Sequence, residues 1–124
     1  MSKSLPPAAH MQAASEAVRQ HNHAAMDGGY DSTPEASRAV IALVEMSARL
    51  HQAIDHMDGR VLRDLAAGRL APDDRTVPGV HAYGAQTAFA DARVALDELR
   101  GHLQEASSHL WHLGMVYEPE ETEA

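Results

Sequence analysis

Two long stretches of this chain repeat small or apolar residues at alternating intervals of three and four positions. The first series is Ala36, Val40, Leu43, Ser47, Leu50, Ile54, Met57 and Val61, and the second is Ala85, Phe89, Ala92, Leu96, Leu99, Leu103, Ala106, Leu110 and Leu113. This spacing keeps the repeated residues on one face of an α-helix and is typical of helices that pack lengthwise against a partner. The pattern therefore predicts two long helices, over about residues 34–67 and 80–114.

The segment between the two series predicts a turn that brings these helices together. Residues 69–79 read RLAPDDRTVPG, a composition typical of a loop, and Gly68 suits the position just after a helix end. When the chain is folded back over a loop at residues 68–79, Leu50 meets Leu96 and Ile54 meets Ala92 in one register. Several of the paired positions set a large residue against a small one, which favours interdigitation. We therefore predict a long antiparallel helical hairpin with coiled-coil-like packing.

A shorter helix is predicted before the hairpin, over about residues 7–26. Pro6 and Pro7 suit a helix start, and the Asp27-Gly28-Gly29 run suits its end. Because Thr33 is the expected N-cap of the next helix, the connection is short and the first helix should lie antiparallel beside the second. It would pack on a side stripe formed by Ile41, Val44 and Ala48. The prediction is a single all-α domain over residues 1–124, a three-helix bundle at one end of the hairpin, with an acidic tail over residues 115–124.

The charge and the cysteine content exclude several classes of function. The net charge is −8, which argues against direct nucleic-acid binding because that needs a basic face. The absence of cysteine excludes disulfides, thiol catalysis and cysteine-based zinc sites. The longest apolar run, over residues 39–44, is far shorter than the ~20 residues that span a bilayer, and the N-terminus lacks the apolar core of a signal peptide. We therefore expect a cytoplasmic protein without a membrane partner.

No phosphate-binding glycine loop or nucleophile elbow occurs in the sequence, so we expect a protein that is not an enzyme and needs no cofactor. When only two helices pack together, the flanks of their apolar residues stay exposed to solvent. A group of apolar residues also lies near the tip of the predicted hairpin. Either the loop folds back over this group, or it forms a surface for a second copy or for another helical protein. Trp111 either packs against the first helix or serves as an exposed binding anchor. The residues considered for interaction are Leu62, Leu65, Leu70, Val80, Tyr83 and Trp111.

Nine histidines form an unusual feature of the chain, and three of them lie close together near the end of the third helix. His102, Glu105, His109 and His112 follow one another at intervals of three and four, so they could share one helical stripe. Imidazole and carboxylate are suitable ligands for zinc, iron or nickel, and His21 would lie near the same end of the bundle. A metal-binding helical bundle is therefore an alternative prediction. A pH response and an ordinary exposed helix face are the other interpretations.

The tail carries a Tyr-x-x-x-Glu pattern formed by Tyr117 and Glu121, just after a helical hairpin. This arrangement resembles the export signal of type VII secretion substrates, which are small helical-hairpin proteins that pair as dimers. The resemblance implies that Tyr117 and Glu121 are read by a secretion machine. The Trp-x-Gly turn motif of that family has no counterpart in residues 68–79, and Trp111 and Gly114 are spaced differently. A secreted helical hairpin is thus a further alternative.

Overall fold

The computed structural model describes residues 4–116 and contains three α-helices. They are α1 over Pro7–Met26, α2 over Thr33–Ala66 and α3 over Pro78–Trp111. Within residues 4–116 no β-strand is present, so the all-α class and the two long helices are confirmed. The third helix ends at Trp111, three residues before the end that the sequence pattern indicated.

Proline and polar capping residues set the helix starts. Each helix has a proline within its first two positions, where the fixed φ angle suits a helix and no backbone donor is lost. Only α2 has a side-chain cap: Ser32 Oγ accepts from the Glu35 backbone N–H at 3.2 Å, and the Glu35 carboxylate accepts from the Asp31 N–H at 2.9 Å. The N-cap is therefore Ser32 rather than Thr33, which is the first helical residue.

The loop between α2 and α3 begins with a backbone conformation that only glycine adopts easily. Gly68 has a φ of 69°, and its N–H and that of Arg69 bond back to the last turn of α2. Arg75 also has a positive φ, 66°, further along the loop. Together these turns reverse the chain so that α3 runs antiparallel to α2.

Contacts between polar side chains show how α2 and α3 are aligned. His51 Nε2 lies 3.9 Å from Asp97 Oδ1, and Arg93 Nε lies 2.6 Å from Asp55 Oδ1. The predicted alignment set Leu50 against Leu96 and Ile54 against Ala92, whereas these contacts place each α2 position level with an α3 residue two positions further along the chain. The antiparallel packing of α2 on α3 is confirmed, and its register is displaced from the predicted one by about 3 Å along the axis.

The line of contact between α2 and α3 is rotated relative to the predicted seam. The most buried side chains are not the large apolar ones: they belong to Ser37, Ser47, Asp58 and Ala82. Three large members of the predicted seam, Leu43, Met57 and Leu99, are 40%, 40% and 45% exposed. Two helices alone touch along one narrow line, so a wide apolar stripe is only half covered by a single partner.

The placement of α1 differs from the expectation. Within residues 4–116, packing between helices joins α2 and α3 only. Val18 of α1 is 43% exposed, and Ile41, one of the residues on which α1 was expected to pack, is exposed as well. The physical reason lies in the weak apolar stripe of α1, which contains two alanines and a histidine and so buries little apolar area; its members are Met11, Ala14, Val18, His21 and Ala25. A hydrogen bond between the His21 ring and the Tyr30 hydroxyl joins α1 to the segment before α2.

Candidate functional site

The hairpin has two unlike long faces, which lie on opposite sides of the line where α2 meets α3. The ion-paired side chains Asp55 and Arg93 mark the first side. Residues on the other flank of each helix belong to the second, which we name the apolar face. It is formed by Leu43, Met46, Leu50, Ala53 and Met57 of α2 and by Ala85, Ala88, Ala92, Ala95, Leu99 and Ala106 of α3, and its rows continue into Arg60 and Asp64 on α2 and into His102 and His109 on α3. All of these side chains are half-buried or exposed.

The first side carries a charged network that joins the two helices. Arg93 bridges two carboxylates, with its Nη2 2.7 Å from Asp58 Oδ2 and its Nε 2.6 Å from Asp55 Oδ1. His51 lies 3.7 Å from Asp55 and completes the network toward Asp97. The bonds to Asp58 first, and then to Asp55, raise the pKa of Arg93 above its usual value, so this side chain stays charged.

Asp58 is the buried member of this network. It is 7% exposed, and its Oδ1 atom has no hydrogen-bond partner. A buried carboxylate depends on a paired cation, and Arg93 supplies that cation here. The apolar periodicity does not indicate the contacts of Arg93, although Asp55 and Arg93 directly follow Ile54 and Ala92 in the sequence and carry opposite charges.

At the tip of the hairpin the loop folds back over part of the apolar group. Leu70, Ala71 and Pro72 line a groove of about 240 Å³ together with Val61 and Ala82. Of the residues considered for interaction, Leu62, Leu65 and Leu70 are half-buried, whereas Val80 and Tyr83 are exposed. The loop therefore covers one part of the apolar group and leaves the other part exposed.

A hydrogen bond between His81 and the Asp74 carboxylate holds the loop against the first turns of α3. Asp74 also accepts from the Thr76 hydroxyl at 2.6 Å and from the Thr76 N–H at 3.2 Å. The bond from the Thr76 hydroxyl, followed by the bond to His81, lowers the pKa of Asp74 well below its usual range. The same contact with Asp74 raises the pKa of His81 above its usual value.

At the opposite end of the hairpin, Trp111 lies on the surface. Its residue exposure is 78%, and it borders an open groove with Ile41 and Leu110. It does not pack against α1, because α1 contacts neither long helix. Of the two interpretations of Trp111, the structure therefore places it as an exposed side chain.

The candidate metal ligands lie on α3 and on α1, and the spacing of seven places His102 and His109 in the same row as Ala88 and Ala95 of the apolar face. His102, Glu105 and His109 are exposed on α3, and His112 follows directly after this helix. Across residues 4–116, no three histidine, aspartate or glutamate side chains gather in an arrangement that could hold a metal ion. His21 belongs to α1 and bonds to Tyr30. Tyr117 and Glu121, the residues of the export pattern, lie outside the described part of the chain.

The fold and the surface together define an all-α helical hairpin with one charged and one apolar long face. In the part of the chain that the structure describes, no helix combines the length and the apolar character that crossing a membrane requires. Compared with known protein families, with curated proteins and with solved structures, the chain shows no match.

Proposed function

We propose that this protein is a non-enzymatic binding module that associates with a helical protein, either itself or another, through the apolar face. The observation that carries the proposal is the exposure of Leu43, Met57 and Leu99 on a single face of the hairpin. Burying one leucine is worth ~1.5–3 kcal/mol, so several half-exposed large side chains favour association strongly. From the sequence we expect this association to take place in the cytoplasm.

The opposite side of the hairpin supports the assignment of the binding surface. Its charged network pairs Arg93 with Asp55 and Asp58 within the chain. Among residues 4–116 the apolar face has no such partner, and α1 does not cover it. A helix with its own apolar stripe is the natural occupant of a groove between two helices, because its side chains can interdigitate with theirs.

A charge placed in the apolar face tests the proposal. We expect Leu43→Glu to remain folded, because this side chain is already partly exposed, and to abolish association by forcing a carboxylate into the contact. The measurement is the solution mass by light scattering, together with co-purification of partners from the source cells. Val94→Glu is the matched control, since Val94 is exposed on the outer side of α3 and should leave association unchanged.

Two results would contradict the proposal. One is a wild-type protein that remains monomeric and binds no partner. The other is a Leu43→Glu variant that associates as well as the wild type and the Val94→Glu control do.

A further inference from the structure

We infer that the occupant of the apolar face is a second copy of this chain, with α2 of each copy lying antiparallel against α3 of the other. This inference rests on the proposed function and names its partner. The two copies are related by a twofold axis parallel to the helices, so their loops lie at the same end. The result is a four-helix bundle in which every neighbouring pair of helices is antiparallel.

The size of the side chains on the two halves of the face favours this arrangement. The α2 half carries leucines and methionines, which form a ridge, whereas the α3 half consists mostly of alanines, which leave a groove. A ridge packs best into a groove, so α2 of one copy fits α3 of the other. Such a contact is self-complementary, because each copy supplies one ridge and one groove.

The charges along the two edges of the apolar face favour the same arrangement. The outer edge of α2 carries Arg49 and His56, and the outer edge of α3 carries Asp91 and Glu98. All four residues are exposed. Counted from the ion pairs that set the register, Arg49 lies level with Glu98 and His56 with Asp91, to within one residue. The Arg49 guanidinium, which lies 3.6 Å from Glu45 in its own chain, therefore meets the Glu98 carboxylate at each edge when α2 of one copy faces α3 of the other.

The alternative twofold arrangement, with α2 facing α2 and α3 facing α3, is disfavoured by the same charges. It would bring the basic edge of α2 against its own copy and the acidic edge of α3 against its own copy. Like charges in direct opposition destabilise a contact and suppress the wrong pairing. It would also set ridge against ridge and alanine groove against alanine groove.

The area of the apolar face reaches the lower bound for a specific dimer. Its α2 residues, Leu43 to Met57, rise about 21 Å, and its α3 residues, Ala85 to Ala106, rise about 32 Å. At a width of about 20 Å for two helices, this gives about 500 Å² on each copy, and the total of about 1,000 Å² is the smallest area expected of a biological interface.

The dimer geometry explains why the predicted seam is only half covered in one chain. In a four-helix bundle the inward residues point toward the bundle centre, where they contact both the neighbouring helix and the second copy. Leu43, Met57 and Leu99 are then the central residues, and their exposure in the single hairpin is removed by the second hairpin.

The first measurement is the mass of the full-length protein by sedimentation equilibrium. We expect twice the chain mass of 13.4 kDa, or about 27 kDa. A monomer at all concentrations overturns the inference. If that monomer still binds another protein in a Leu43-dependent way, the proposed function survives. If it binds nothing, both fail.

The second measurement is a charge exchange between the two edges, made at low salt. Arg49→Glu and Glu98→Arg should each weaken the dimer about tenfold, because each change creates two like-charge contacts in a symmetric dimer. Mixing the two variants should restore association, and so should the chain that carries both substitutions. Arg100→Glu, an equal charge change on the opposite side of α3, is the matched control and should leave the dimer unchanged.

The mixed sample decides the geometry. Recovery of wild-type affinity in the mixture supports the pairing of α2 with α3 of the second copy. A dimer whose single variants are not rescued by mixing overturns the inferred geometry and leaves the proposed function standing.

Discussion

Arg93 is the single side chain that joins α2 and α3 through charge at two points. Its guanidinium contacts the buried Asp58 and the more exposed Asp55, 35 and 38 positions away in the sequence. Most surface ion pairs contribute little to the free energy of unfolding. The pair of Arg93 with Asp58 contributes more because Asp58 is buried. Removing the arginine would leave a buried carboxylate whose Oδ1 atom already lacks a partner.

We predict that Arg93→Ala lowers the free energy of unfolding by about 2–3 kcal/mol, the cost of leaving a buried charge unpaired. Urea denaturation measures this value. Arg100→Ala, seven positions further along α3 and exposed, should change the stability by less than about 0.5 kcal/mol. The prediction fails if both variants unfold at the same urea concentration as the wild type.

The Asp74–His81 contact predicts a pH dependence at the tip of the hairpin. The pKa of His81 is raised above 6.5, so its stabilising contribution is complete below pH 6.5 and is lost as the pH rises through the higher folded-state value. The pKa of Asp74 is lowered from 3.8, so its contribution is present above pH 3.8 and is lost as the pH falls below that value. The loop is therefore held most firmly between pH 3.8 and 6.5.

An NMR titration of the His81 ring protons measures this effect. We expect a midpoint above 6.5 in the wild type and a midpoint close to 6.5 in Asp74→Asn. Asp73→Asn is the control and should lower the midpoint less, since Asp73 acts on His81 only through its charge. An unchanged midpoint in Asp74→Asn would show that the contact does not form in solution.

At the scale of helices, α1 and the hairpin differ in how their apolar residues are used. Proline at each start and glycine near the ends made the three helices predictable from the sequence, because these residues act locally. The neighbours of α1 were not predictable in the same way. A stripe of alanine and histidine does not select a partner surface, and the expected contact with Ile41 is not formed.

We predict that Val18→Ala in α1 changes the free energy of unfolding by less than about 0.5 kcal/mol. Leu103→Ala in α3 should lower it by about 2 kcal/mol, because a half-buried leucine contact is lost from the hairpin. Thermal unfolding followed by circular dichroism compares the two variants. An equal loss in both would indicate that α1 packs against the hairpin in solution.

At the scale of the whole molecule, the sequence revealed the hairpin, with a register about two residues from the observed contacts, but not which half of the stripe is covered. The intervals of three and four identify an apolar face that is wide enough for two contacts, and Leu50 and Leu96 mark its centre. Which half of the stripe is covered depends on Asp55, Asp58 and Arg93, because their ion pairs hold one flank of α2 against α3. That choice is a three-dimensional property, which periodicity alone does not encode.

The antiparallel path of the chain also separates its two ends from its turn. Thr33 and Trp111 lie at one end of the hairpin, and the turn over residues 67–77 lies at the other, about 50 Å away for helices of 34 residues. The hairpin can therefore serve as a molecular spacer. A tag or cargo tethered near Trp111 stays remote from anything bound at the turn, so the two attachments can be engineered independently.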